Sequence, residues 1–173
     1  MVIAGLAYLA IGTLQDSSVL AVIGAVSVGL GIGFLPYNFP TARVFLGDSG
    51  SYFCGGILGL AAIIATNSGA GLLAALTPIG LYGFDTAYTL LRRTLRGEKV
   101  GAPHREHIYQ RMAQRKGHAW SALFTSVVAA VVCAIGIASI VVPFSLVLGA
   151  STLLVLACYA AVPEWFLRKV GSI

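Results

Sequence analysis

The chain has 173 residues, 58% of them hydrophobic and only 10% charged, with a mean hydropathy of +0.90 and a formal net charge of +5. A soluble domain carries about 25% charged residues, so this composition cannot clothe a water-facing surface and lipid is the expected solvent for most of the chain. A free-standing soluble domain is excluded.

The chain opens on an apolar run, 1–14, with no basic segment before it, and no signal peptide is expected. At 1.5 Å per residue this run is short for a full span and reads as most of a helix whose beginning is missing, or as a tilted or partial helix. Further apolar runs occupy roughly 18–36, 51–66, 71–91, 121–142 and 144–166. Each is long enough, or nearly so, to cross a bilayer. Because 51–66 is short, its helix is expected to begin inside the preceding loop. Gly29-x-x-x-Gly33 and Gly55-x-x-x-Gly59 have the spacing that lets membrane helices approach closely. Cys54, Cys133 and Cys158 all fall inside apolar runs with no Cys or His neighbour, and read as small apolar filler. The expected fold is all-α: a polytopic membrane helical bundle of about six transmembrane helices. It forms one domain over 1–173, with a short amphipathic helix in its long loop.

Two connections are long, 37–50 and 92–120. The second holds Arg92, Arg93, Arg96, Lys99, Arg105, Arg111, Arg115 and Lys116, which is eight of the chain's eleven basic residues. The positive-inside rule puts that loop in the cytoplasm. Counting spans outward from it leaves 37–50 cytoplasmic with Arg43, puts 15–17, 67–70 and Pro143 outside, and returns the tail with Arg168 and Lys169 to the cytoplasm. All basic residues then share one side although only the long loop was used to orient the count. Topology thus accounts for the basic excess, and no nucleic-acid partner is expected. The expected location is the bacterial inner (cytoplasmic) membrane, multi-pass, with the active face cytoplasmic.

The loop "YNFPTARVFLGDSGS" carries the first candidate chemistry. Asp48 offers a carboxylate to a hard cation such as Mg²⁺, which commonly takes one or two carboxylates together with substrate phosphates. Gly47 and Gly50 let backbone amides approach phosphate oxygens. Ser49 or Ser51 is expected to cap the following helix. The alternative is that Asp48-Ser49-Gly50 forms only a turn and a cap. The second candidate is "GAPHREHIYQRM". With Pro103 in a first turn, His104, His107 and Arg111 share one helix face, beside a seam of Ile108 and Met112. Such a helix is expected to lie flat on the membrane and offer imidazole and guanidinium to an anion, or, more blandly, to touch acidic lipids. His-x-x-His without a third ligand does not make a zinc site. A carboxylate within a span, Asp85, sits near the cytoplasmic end of its run, and is either functional, positioning Arg92 or the metal loop, or a helix-end group paired with Arg92 or Arg93 or wetted by a cleft.

Together, "YNFPTARVFLGDSGSYFCGG" (37–56), "FDTAYTLLRR" (84–93) and "HREHIYQRM" (104–112) resemble the polyprenyl-phosphate N-acetylaminosugar-1-phosphate transferases. That superfamily includes the phospho-N-acetylmuramoyl-pentapeptide transferase of cell-wall synthesis. The resemblance implies that Asp48 carries the catalytic Mg²⁺, with Mn²⁺ as an alternative. It makes His107 and Asp48 the catalytic pair. Asn38, Arg43, Ser49, Gly50, His104, Arg105 and Arg111 would bind substrate. The family's His motif is often His-x-His-His. Here His107 matches its first histidine, while Tyr109 and Gln110 stand in the other two places. The "HREHIYQR" form resembles the branch that primes lipid-linked O-antigen-type or related glycans.

The implied reaction moves an N-acetylhexosamine-type sugar-1-phosphate from a UDP-sugar to polyprenyl (undecaprenyl) phosphate, releasing UMP. The pattern covers only the later half of the family's. Its earlier Asp-Asp pair and Asp-rich loop have no counterpart. The chain is therefore expected to be the C-terminal part of a larger transferase unit, inactive alone, and to be completed by a homo-oligomer or by a partner supplying the other half. The competing expectations are a non-catalytic membrane scaffold derived from the family, and a transporter subunit.

Overall fold

The computed structural model describes residues 1–99, 106–142 and 145–170, with the side chains of all but 145 and 163–170. Among these residues it is entirely helical. In chain order the helices are α1 (Val2–Leu14), α2 (Ser18–Asn38), α3 (Gly47–Asn67), α4 (Gly71–Leu95), α5 (Ile108–Lys116), α6 (His118–Val141) and α7 (Ser145–Val170). The apolar runs read from the sequence coincide with six of them. α3 does begin inside the preceding loop. α2, α3 and α6 are each long and apolar enough to cross a membrane, whereas α1 and the 146–162 stretch of α7 are apolar but shorter.

The outward face confirms the solvent. Val22, Tyr82 and Leu146 are 62%, 79% and 87% exposed, and they belong to a much larger set of outward-facing apolar side chains. Contiguous apolar surface on this scale has no place on a water-soluble monomer. The chain is a membrane helical bundle.

Two buried clusters form the core of this bundle. The first joins Tyr8 and Ile11 of α1, Leu20 of α2, Ala61, Ala62 and Ala65 of α3, and Ala74 and Ala75 of α4. These are the late residues of α1 and α3 and the early residues of α2 and α4, so successive helices run antiparallel. The second joins Leu81 of α4, Ile108 of α5, Val132 of α6, and Leu156, Tyr159 and Ala160 of α7. The first cluster is built mainly from alanine, which permits close backbone approach where lipid supplies no hydrophobic drive.

The most extensive helix pairing, between α1 and α2, uses glycines other than those singled out by spacing. A Cβ on Gly24 would run into the backbone amide of Leu9 and stand 2.7 Å from the carbonyl of Gly5. A Cβ on Gly29, Gly33, Gly55 or Gly59 would meet nothing within 4 Å. None of these four spaced glycines is pressed against a neighbour within this chain. Which glycines are pressed is set by where α1 lies.

α4 contains Pro78, whose missing N–H leaves the carbonyl of Ala74 without its helical donor. The Thr77 hydroxyl donates to that carbonyl at 3.3 Å, and the Tyr8 hydroxyl of α1 donates to the next one, Ala75, at 3.0 Å. In lipid every such group must find a partner inside the protein, so these two bonds let a proline persist within the helix.

Candidate functional site

The Asp48 loop is held by its own backbone and by Asn38. At the end of α2, the Tyr37 carbonyl accepts from the amides of Arg43 at 2.9 Å and Val44 at 3.2 Å, and Asn38 Nδ2 donates to the Val44 carbonyl at 3.2 Å. α3 then starts at Gly47, whose φ of +67° is a left-handed conformation that favours glycine. Asp48 thus lies in the first turn of α3, exposed, where the positive end of the helix favours a negative charge. Ser49 and Ser51 do not cap this helix. Both lie inside it, and Ser51 Oγ donates back to the Gly47 carbonyl at 2.7 Å. Asn38, placed among the substrate binders, here braces the loop. Arg43 and Ser49 are exposed and Gly50 is half-buried.

The long loop begins with a fastened corner. Arg93, only 4% exposed, donates to Glu98 at 3.0 Å and to the Lys99 carbonyl at 2.8 Å. Arg96 pairs with Glu106 at 3.2 Å. These pairs occupy Glu98 and Glu106, two of the few acidic residues outside the spans.

α5 departs from expectation in start and in placement. His107 lies at its N-cap rather than within it, so it does not share a helical face with Arg111 in the expected way. His104 and Arg105 lie outside the described residues. The helix also does not lie flat on a membrane. Ile108 and Met112 are fully buried, and α5 packs against α6 and α7. An apolar seam of this kind can be satisfied by lipid or by protein. Here the bundle offers the matching hollow around Leu81, Val132 and Tyr159.

Asp85 is the anchor. It is buried in α4, and its Oδ1 accepts from the Ile108 amide at 2.8 Å and from Thr89 Oγ1 at 3.4 Å, with His107 Nδ1 3.7 Å away. It does not serve as the expected partner of Arg92 or Arg93, because the N-terminus of α5 lies closer. From the opposite helix, Ser121 Oγ of α6 donates to the Tyr109 carbonyl at 2.7 Å. Tyr109 and Gln110 both support His107. The Tyr109 ring stacks on its imidazole, centroids 5.9 Å apart, and Gln110 Oε1 accepts its backbone N–H at 3.3 Å. Burial first, and then the Asp85 carboxylate, pushes the Tyr109 phenol up from its ordinary value. Sequence reasoning missed Thr89, Ser121 and the support from Tyr109 and Gln110. The one available signal was the glutamine three residues after His107, a capping-box spacing.

Asp48 and His107 therefore lie at the same end of the bundle, since α3 and α4 are antiparallel and the start of α5 bonds to Asp85 in the second half of α4. No hydrogen bond or ion pair joins Asp48 to His107 among the described residues. Those residues also contain no group of three His, Cys, Asp or Glu side chains able to hold a metal. An exposed carboxylate at a helix N-terminus fits one position of a Mg²⁺ ligand set.

Comparison with known proteins bears on the first of these motifs, the Asp48 loop. Residues 1–66, which include the whole Asp48 loop, match the model of glycosyl transferase family 4. The chain is 32% identical over 112 residues to a protein of Bacillus subtilis (strain 168) named "Probable undecaprenyl-phosphate N-acetylglucosaminyl 1-phosphate transferase", covering 62% of this chain and 31% of that one. It is 34% identical over 108 residues to the decaprenyl-phosphate N-acetylglucosaminephosphotransferase of Mycolicibacterium smegmatis (strain ATCC 700084 / mc(2)155), covering 54% and 27%. A 56-residue stretch is 45% identical to the phospho-N-acetylmuramoyl-pentapeptide-transferase of Bartonella quintana (strain Toulouse), covering 32% and 16%. The matches thus span a third or less of each relative's length. No solved structure matches. Over the matched part of its length the chain is thus similar to polyprenyl-phosphate N-acetylglucosamine-1-phosphate transferases and to glycosyl transferase family 4.

Proposed function

We propose that this chain takes part in transferring an N-acetylhexosamine-1-phosphate from a UDP-sugar to polyprenyl phosphate at the cytoplasmic face of the inner membrane. On this reading an oxygen of the lipid phosphate bonds to the sugar-bearing phosphorus of the donor. The bond between that phosphorus and the bridging oxygen breaks, and UMP leaves with the bridging oxygen. The observation that carries the reading is the placement of Asp48. It lies inside the stretch that matches the family model, exposed at the N-terminus of α3, at the same end of the bundle as His107.

The chemistry suits a boundary. The lipid acceptor is confined to the bilayer and the nucleotide sugar to water, and two anionic phosphates must be brought together. Asp48 would hold Mg²⁺, with Mn²⁺ as a substitute; the cation supplies charge neutralisation to the phosphoryl oxygens. His107 and Arg111, one turn apart at the start of α5, would take the donor diphosphate, with His104 and Arg105 preceding them. Asn38 keeps the Asp48 loop in shape, and Arg43 is an exposed cation on it. Because Asp48 fills only one ligand position, the metal site would be completed by acidic residues from another segment or from a partner chain. The branch of glycan synthesis we favour is lipid-linked O-antigen-type priming.

The test is UMP release in native membranes, which hold any partner chain. The gene is deleted and then restored as wild type or as Asp48→Asn. Wild type should restore Mg²⁺-dependent release, and the variant should lose it by about a hundredfold or more. Equal release by both removes the metal role. That no group of three His, Cys, Asp or Glu side chains able to hold a metal occurs among the described residues favours one alternative, a non-catalytic scaffold of the same family; that reading wins if restoring the wild type changes nothing.

A further inference from the structure

The transferase reading gives no part to Asp85, the buried carboxylate of α4. A charge among apolar membrane helices is costly and is retained where it has a partner or a task. Its partners here are specific. Oδ1 meets the Ile108 amide at 2.8 Å and the Thr89 hydroxyl at 3.4 Å, and stands 3.7 Å from His107 Nδ1. On the far side Ser121 grips the Tyr109 carbonyl at 2.7 Å. Three consecutive residues, His107 to Tyr109, are therefore bracketed between α4 and α6, with the Ile108 side chain fully buried beneath them. A mere cap for α5 needs only an acceptor, which an amide or hydroxyl provides at less desolvation cost. The negative charge beside Nδ1 is the part that a cap does not explain.

We propose that Asp85 is a positioning residue: from α4 it locks the first turn of α5 and turns the His107 imidazole so that this edge of the loop receives a nucleoside-diphosphate donor. The identity of the ligand rests on the transferase reading; the lock itself does not.

Two variants separate the parts of the claim. Asp85→Asn keeps an oxygen for the Ile108 amide and removes the charge facing His107. Asp85→Ala removes both. Amide hydrogen exchange over residues 107–112 is measured on the full-length chain in lipid, and donor KM and kcat in native membranes carrying each variant. Asp85→Ala should speed exchange at the start of α5 by about tenfold or more. Asp85→Asn should leave that exchange within about threefold of wild type while raising the KM for a UDP-N-acetylhexosamine about tenfold at nearly constant kcat. Unchanged exchange in Asp85→Ala means there is no lock. A wild-type KM in Asp85→Asn reduces Asp85 to a structural cap and overturns the positioning role. If wild type turns over no donor, the transferase reading and the ligand clause fall together. The exchange rate in Asp85→Ala then decides by itself whether the lock exists.

Discussion

The Asp85 carboxylate of α4 and the backbone amide of Ile108 in α5 are 23 residues apart in sequence and 2.8 Å apart in space. This bond fixes a loop helix to a membrane helix, and it decides where the histidine next to it can point. Several measurable consequences rest on that docking and on the packing around it.

Because Ile108 and Met112 are fully buried against the bundle, truncating either should loosen the whole bundle end. Ile108→Ala is expected to cost about 2–5 kcal/mol, the usual range for a large-to-small change in a packed core. Thermal unfolding in detergent checks it. Were α5 resting on lipid, the variant would melt like wild type and lose only its affinity for the membrane surface.

Arg93 presents a fork, with Nε on Glu98 at 3.0 Å and Nη2 on the Lys99 carbonyl at 2.8 Å, and it is almost wholly buried. A lysine cannot reproduce that planar geometry. Arg93→Lys should therefore open residues 96–99 to protease nearly as much as Arg93→Ala does. Full protection by lysine would mean that the charge alone holds the corner.

The two sets of glycines give a paired test. Gly24→Val forces α1 off α2 and should lower stability by at least about 1–3 kcal/mol, the usual penalty for overpacking. Gly29→Val meets open space and should leave the stability of this chain unchanged. Melting curves of the two variants in one detergent are compared. Equal melting temperatures would contradict the helix pairing described above.

Tyr109 supplies a pH prediction. Its phenol is raised above its ordinary value of 10 by burial and by the Asp85 carboxylate, so the docked state favours the protonated form. The stabilisation is complete below pH 10 and is lost as pH rises through the raised value. Hydrogen exchange of α5, corrected for its intrinsic pH dependence, should accelerate above about pH 10 in wild type. It should accelerate less in Tyr109→Phe, which keeps the ring and has no proton to lose. Identical pH dependence in the two would remove Tyr109 from the docking.

Much of this protein was already decided in one dimension. Apolar runs long enough to cross a bilayer leave helices as the structure that satisfies each backbone group within its own segment, so the six apolar helices and the all-helical class follow from composition and length. The family resemblance was also legible, because a Gly-Asp loop keeps its residue identities wherever it sits in space. Helix ends were partly legible: the shortness of 51–66 pointed to a start near Gly47, which the backbone there confirms. What sequence could not decide was which surfaces meet. The Ile108–Met112 seam is equally consistent with lipid and with protein, and only the hollow formed by α4, α6 and α7 selects protein. The glycine spacing marks faces capable of close approach, and the position of α1 determines that Gly24 is used and Gly29 is not. Asp85 had nearby arginines in sequence, yet its partners come from a helix that only folding brings beside it, because a desolvated carboxylate takes whichever donors the packed bundle places within reach.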